Sequence, residues 1–498
     1  MSNSAVLEEA PPETISTERL SEMSFTAATA AEVPGAIGSL SLEGLRRSVR
    51  LPDMNAKPWL KYLAFAGPAL LISIGYIDPG NWATDLQAGA QFKYQLIWVI
   101  GLASLMAMIL QIISSRLGVV TGKDLAQTCR DHLPRWTRWP NWLSAELAIA
   151  ATDLAEVLGC AVAIHMLFPH ISLLAAVIIT SFDVMLLLLL QGLGMRLIEA
   201  IILLLIVTIG VCFFMEIFVL PQTKPNFPEI GRWMFAPDMP GFFKNSDLVF
   251  LAMGIIGATV MPHNLYLHSA LVQSRKFSKD QTAVRQAVKY NAIDSSVALG
   301  AAFFINAAIL VLAAVVFFGK DHVTLGSGSV VTFDDNTDWI QASYLTLAPI
   351  VGTIAASIIF AIGLLASGQS STLTGTLAGQ VVMEGFMHWR IRPWIRRMIT
   401  RLCAIIPAIF LIVSQGRNLN VNNLINLSQV ILALQLPLAM FPLMYFVSSK
   451  KLMGTHRPGL PLLVAGWTFV LIITALDIYG LPGTWQQGIA MFTGGSGS

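Results

Sequence analysis

The chain has 498 residues, 55% hydrophobic and only 12% charged, with a net charge of +2 and a mean hydropathy of +0.67. A soluble domain carries about 25% charged residues, so this balance excludes an ordinary soluble fold and points to a membrane. The four cysteines, Cys129, Cys160, Cys212 and Cys403, form no CxxC pair, which argues against a disulfide framework or a thiolate zinc site.

Residues 1–55 are rich in Ala, Ser, Thr, Glu and Pro without a helical stripe of large apolar side chains, and they predict a disordered cytoplasmic tail. No basic start followed by an apolar run is present, so the tail does not read as a cleavable signal peptide. Residues 56–480 form the expected transmembrane region, and the terminal GGSGS at 494–498 reads as a linker.

Apolar stretches of about 20 residues mark membrane helices. Eleven are predicted, at Trp59–Ala90, Leu96–Ser115, Trp142–Phe168, Ile171–Gln191, Leu197–Leu220, Leu248–Gln273, Ser295–Phe318, Ile340–Val382, Ile399–Val413, Leu424–Val447 and Leu460–Tyr479. With the N-terminus in the cytoplasm, 25 of the 31 Lys and Arg fall on the tail and cytoplasmic loops and six on the outer loops. That bias supports N-inside, and an odd number of spans places the C-terminus outside. The expectation is an all-α, multi-pass protein of the plasma or inner membrane.

The first span is interrupted at Asp78-Pro79-Gly80-Asn81. Pro79 lacks an N–H and disfavours helix at Asp78, and Gly80 frees the backbone. Eleven residues separate Gly67 from Asp78, about 16 Å of helix, or roughly half a ~30 Å hydrocarbon core. The sixth span carries a second interruption at "GATVMPHN", residues 257–264, where Pro262 precedes His263 and Asn264. Five spans separate the breaks, and an odd offset reverses direction across the membrane. Matched breaks in two inverted repeats point to a transporter's central site, because irregular backbone at that depth must be buried in protein or line a cavity. The competing reading is a pair of proline kinks without a ligand.

Freed carbonyls, the Asp78 carboxylate and the Asn81 side-chain oxygen make an oxygen-rich site suited to a cation. Met261 discriminates further: a thioether is a poor ligand for Mg²⁺ or Ca²⁺ and is accepted by transition metals. At this point "DPGN" and "ATVMPHN" resemble the paired motifs of the NRAMP divalent-metal transporters, and the resemblance covers residues 57–480. It implies a LeuT-like fold of two inverted five-helix repeats with broken helices 1 and 6, plus an eleventh helix. It further implies proton-coupled import of Mn²⁺, Fe²⁺ and similar ions such as Cd²⁺ and Co²⁺. The implied metal ligands are Asp78, Asn81, the Ala258 carbonyl and the Met261 sulfur. A glutamine of the tenth helix joins them on occlusion, with Gln429 the first candidate and Gln435 the second.

The third span, "ELAIAATDLAEVLG", carries Glu146, Asp153 and Glu156. Asp153 and Glu156 share a helix face, and Glu146 lies two turns before Asp153. Intramembrane carboxylates of this kind mark a proton or ion pathway by default; a salt-bridge network that only fixes packing is the alternative. His263 has a side chain that titrates near neutral pH when unperturbed. The resemblance assigns Asp78, His263, Asp153 and Glu156 to proton transfer or its tuning. Arg401 is the candidate cationic partner, with Arg396 and Arg397 in competition, and His268 is a candidate for the cytoplasmic exit. Asn306 and Thr259 are candidates for groups supporting the ligands, and Asp183 reads as a salt bridge or an interfacial position. The basic stretch 275–290 reads as a solvated loop helix, with anionic lipid headgroups as an alternative contact.

No GxxxxGK[ST] motif supports nucleotide-driven pumping, and no arginine repeat supports voltage gating. No enzymatic activity, cofactor or nucleic-acid partner is expected; the partners are divalent metal ions, protons and the lipid bilayer. A Na⁺-coupled amino-acid symporter of the same architecture is the runner-up, and a metal-gated channel or receptor is a third class.

Overall fold

In the computed structural model, the described residues are 49–50, 65, 67–180, 204, 207, 210–211, 224–276, 280–325, 329–334, 337–351, 354–389, 391, 393–415 and 420–493. Most of the fifth predicted span and about half of the fourth lie outside them, as do Asp183, nearly all of the predicted tail and the terminal linker. The strand β1 (Val49–Arg50) falls within the predicted tail and pairs in parallel with β2 (Arg275–Lys276).

The first span is two helices, α1 (Pro68–Gly75) and α2 (Pro79–Phe92). Next come α3 (Ile97–Thr121), the short α4 (Leu125–His132) and α5 (Arg138–Leu167). Two short helices, α6 (Phe227–Phe235) and α7 (Met239–Lys244), lead into the second broken pair, α8 (Ser246–Val260) and α9 (Pro262–Leu271). The long α10 (Gln281–Val316) follows, then a small hairpin of β3 (His322–Thr324) and β4 (Val330–Thr332). The chain closes with α11 (Trp339–Val351), α12 (Ile354–Met387), α13 (Pro393–Gln415), α14 (Val421–Ser448), α15 (Lys450–Met453) and α16 (Leu460–Thr493). Among the described residues seven helical segments are long and apolar enough to cross a membrane, and Met398–Ser414 is a shorter apolar one. The two halves of the first span are each too short to cross alone.

The elements repeat in order: a broken helix, a long helix (α3, α10), and a helix packed against its counterpart from the other half (α5, α12). Helices α2 and α3 lie against α10, and α14 lies against α5 and α8. One apolar core runs continuously through α2, α3, α5, α8, α10, α12 and α14. The fold is thus the expected helical inverted repeat with interrupted first and sixth spans.

Three details depart from the expectation. Helix α10 begins at Gln281, fourteen residues before the apolar window. Hydropathy marks the lipid-facing length of a helix, not its start, so the basic stretch is no separate loop helix. Its Arg275 is buried and donates to Ser274 Oγ at 3.0 Å. The eighth span is divided into α11 and α12. Finally, α16 continues fourteen residues past Tyr479 to Thr493.

Candidate functional site

Each break is built as a helix end followed at once by a helix start. Asp78 is the N-cap of α2 and Pro79 its first residue. An Asp N-cap and a Pro at the first helical position are the residues a helix start favours. The irregular stretch is therefore Tyr76-Ile77-Asp78, and Pro79-Gly80 initiate α2 instead of unwinding it. Gly80 serves another purpose: a Cβ there would fall on the side-chain amide of Gln429 in α14. At the second break Met261 alone separates α8 from α9, with φ 41° and ψ 101°, and Pro262 starts α9. A left-handed φ is uncommon for a non-glycine residue.

The breaks meet through one side chain. Asp78 Oδ1 accepts the Asn81 backbone N–H at 2.9 Å and the Asn81 side-chain amide at 2.7 Å. The same amide donates to the Ala258 carbonyl, in α8, at 3.0 Å. Asn81 Oδ1 accepts from Thr259 Oγ1 at 3.1 Å and from Asn306 Nδ2 at 3.2 Å, and Asn306 also donates to the Tyr76 carbonyl at 2.8 Å. Asp78, Asn81, Ala258, Met261 and Gln429 are all fully buried. Asp78 Oδ2 and Gln429 Oε1 have no hydrogen-bond partner. A buried acceptor without a partner is costly, so these atoms are suited to receiving a cation. Gln429 Nε2 donates to Ser428 Oγ at 2.9 Å, whereas Gln435 donates to Ser144 on α5 at 3.3 Å. Of the two glutamines, Gln429 is the one at the breaks. Its carbonyl also lies where a Gly257 Cβ would be, so α14 reaches both interruptions over glycines.

Two of the three α5 carboxylates lie against arginines of α13. Glu146 takes both of its bonds from Arg396 Nη2, at 3.0 and 2.8 Å. Glu156 Oε2 lies 3.6 Å from Arg401 Nη1 and accepts from Thr372 Oγ1 at 2.9 Å. Arg401 also donates to the Thr180 carbonyl at 3.1 Å. Two of the three competing arginines thus each have a carboxylate, and the Arg397 side chain lies outside the description. Asp153 and His263 are buried on α5 and α9, and His263 Nδ1 has no hydrogen-bond partner. His268 Nδ1 is 3.0 Å from Gln111 Oε1, and Gln111 Nε2 donates to the Tyr76 hydroxyl at 2.8 Å, which ties α9, α3 and the first break together.

Several polar residues here were missed from sequence. Asp85 is buried two turns beyond Asp78 with neither oxygen hydrogen-bonded. Gln87 Oε1 accepts from Asn422 and Asn426 of α14. Asp294 of α10 caps α1 by accepting the Gly67 and Ala69 N–H groups at 3.3 and 3.0 Å. Asp85 stood in the same stretch as Asp78 and carried the one readable signal, a carboxylate at membrane depth. The others depend on partners far away in sequence. Asp338 lies at the start of α11 and accepts from the Gln341 and Val421 N–H groups at 3.1 and 3.0 Å, joining α11 to α14. Burial raises its carboxyl above the ordinary range, against the opposing pull of those backbone donors.

Among the described residues no three His, Cys, Asp or Glu side chains converge to hold an ion. The donors at the breaks are instead one carboxylate, amide and carbonyl oxygens and one thioether. Comparison with known proteins adds to this geometry. The natural resistance-associated macrophage protein-like (Nramp) family profile matches residues 69–482. The chain is 46% identical over 441 residues to the divalent metal cation transporter MntH of a Nostoc species, covering 88% of this chain and 95% of that one. It is 44% identical over 439 residues to MntH of Listeria innocua, covering 88% and 94%. Among solved structures it is similar to the manganese transporter of Eremococcus coleocola in complex with an aromatic bis-isothiourea compound. The TM-score is 0.79, with 37% identity and coverage of 92% and 93%. Mhp1, a nucleobase-cation-symport-1 family transporter, shares the fold alone, at 15% identity and a TM-score of 0.54, covering 86% and 92%.

Proposed function

The chain belongs to the Nramp family, and on that premise we propose that it imports divalent transition-metal ions across a cell membrane in symport with protons. The observation that carries the reading is the meeting of Asp78, Asn81 and the Ala258 carbonyl across two helix breaks, with Met261 forming the second break. Mn²⁺ and Fe²⁺ are the expected substrates, with Cd²⁺ and Co²⁺ also accepted. Oxygen donors alone would favour hard ions; a sulfur among them favours transition metals. The names of the relatives, divalent metal cation transporter and manganese transporter, support this substrate class.

In this reading the N-terminus is inside and the C-terminus outside, as the Lys and Arg bias requires. The ion enters between α2, α8 and α14 and is held by Asp78, Asn81, the Ala258 carbonyl and Met261, with Gln429 joining from α14. Thr259 and Asn306 hold the Asn81 amide in place. The breaks hinge the half-helices between outward- and inward-open states. Protons pass from Asp78 or His263 to the carboxylates Asp153, Glu156 and Glu146, and Arg401 balances the charge of Glu156. His268 lines the inner exit. The runner-up, an amino-acid symporter, is disfavoured because the Asp78 carboxylate would repel a substrate carboxylate.

The test is uptake by the full chain in proteoliposomes under an imposed pH gradient. Inward-directed protons should drive Mn²⁺ accumulation, with Cd²⁺ and Co²⁺ competing and Ca²⁺ and Mg²⁺ not. Uptake of Mn²⁺ that ignores the proton gradient would remove the coupling, and Na⁺-dependent amino-acid uptake would replace the reading.

A further inference from the structure

The second break contains a contact that a metal-ligand list leaves out. Asn264, at the third position of α9, holds Met261 at two points. Its backbone N–H donates to the Met261 carbonyl at 3.2 Å, and its side-chain Nδ2 lies 3.3 Å from the Met261 sulfur. The backbone bond suffices to start α9 and needs no particular side chain. The side-chain bond acts on the thioether alone. Both residues are fully buried, and Asn264 Oδ1 has no hydrogen-bond partner. The arrangement also depends on α1: a Cβ at Gly75 would lie 2.6 Å from Asn264 Nδ2 and 3.2 Å from the Met261 sulfur. Gly75 thus leaves the room in which amide and sulfur meet.

A methionine side chain has three rotatable bonds and adapts to its surroundings. A ligand sulfur must instead be in place when the ion arrives, and freezing such a chain costs rotamer entropy. An amide proton on one lone pair fixes the sulfur while leaving the other lone pair free, and that is how groups behind metal ligands orient them. We propose that Asn264 is a positioning residue that holds the Met261 thioether toward the ion and so sets the preference for softer over harder divalent metals. The inference rests on the reading of Met261 as a ligand and adds a residue to it.

The test is calorimetric binding of Cd²⁺ and Mn²⁺ to the purified full chain, read as the ratio of the two affinities. Asn264→Leu keeps the branched heavy-atom shape, with methyl groups in place of the amide oxygen and nitrogen, and removes the donor. It should lower Cd²⁺ affinity by about tenfold, the lower end of the loss seen when groups behind metal ligands are removed, and leave Mn²⁺ affinity nearly unchanged. Where Asn264→Leu fails to give folded protein, Asn264→Ala also removes the donor, at a smaller side chain, and the same shift is expected. In a Met261→Ala background neither Asn264 variant should move the ratio further, because the sulfur through which Asn264 acts is gone. If Met261→Ala by itself leaves the ratio unchanged, the ligand reading fails and takes this inference with it. If Met261→Ala lowers the ratio but the Asn264 variants do not, or they lower it equally without the sulfur, the inference alone is overturned.

Discussion

The two helix breaks are alike in depth and opposite in construction. At the first, Asp78 serves the chain as well as any ligand: its Oδ1 caps α2 while its Oδ2 remains without a partner. At the second, the Met261 side chain caps nothing, its φ is a left-handed 41°, and Asn264 donates to its sulfur. The first break satisfies local helix rules, with an Asp cap and a Pro at the first helical position. The second breaks those rules and is maintained by what packs on it, namely Ala151 of α5 and Leu432 of α14. The proposed hard donor thus sits where local helix rules are satisfied, and the proposed soft donor sits at a left-handed residue.

The sharpest way to separate cap from ligand is Asp78→Asn. Asparagine caps as well as aspartate, so thermal stability should change little. Removing a buried charge from its partner costs about 3–5 kcal/mol, so Mn²⁺ binding should weaken more than about a hundredfold. A variant that bound Mn²⁺ normally in calorimetry would reduce Asp78 to a helix cap. The next effect in size is at the second break. Met261→Ala opens a cavity worth about 2–5 kcal/mol of stability and leaves the left-handed backbone in place. Its melting temperature should fall, and liposome uptake of Mn²⁺ should persist while Ca²⁺ and Mg²⁺ begin to compete.

Smaller effects come from the two glycines under α14. A Gly257→Ala methyl meets the backbone of Gln429 and Ala433, while a Gly80→Ala methyl meets only the end of the Gln429 side chain. Gly257→Ala should therefore cost about 1–3 kcal/mol by overpacking and Gly80→Ala less, as read by thermal unfolding. Equal losses would mean that the Gln429 side chain is as fixed as its backbone. The smallest expected effect is in pH dependence at Asp338. Its folded-state carboxyl is raised above the unfolded value near 3.9. The group therefore favours the folded state when protonated, and that contribution is lost as pH rises through its raised value. The melting temperature of Asp338→Asn, relative to the parent, should rise as pH is taken upward from about 4; a constant difference would contradict the raised carboxyl.

Much of this was legible in the chain. Asp78-Pro79 and Met261-Pro262 mark the two interruptions, and the spacing of Asp153 and Glu156 places them on one face. What was not legible depends on how helices rotate against one another. Nothing local assigns Glu146 to Arg396 and Glu156 to Arg401, since all three candidate arginines crowd the start of α13. Asp294 caps α1 across more than two hundred residues, and the Gln111 link between Tyr76 and His268 needs three separate elements side by side. Gly80 was legible as a glycine but misread in purpose, because the side chain it makes room for belongs to α14.

The Asn81 amide has a last consequence. Its protons lie on Asp78 Oδ1 and on the Ala258 carbonyl, two of the oxygens a cation would seek. If Asn81 is a ligand, as proposed, a cation would have to displace those protons and turn the amide away from the Thr259 and Asn306 donors before it could use the Asn81 oxygen. Admission would then be an exchange with a threshold, which an ion that grips oxygen and sulfur only loosely would not cross.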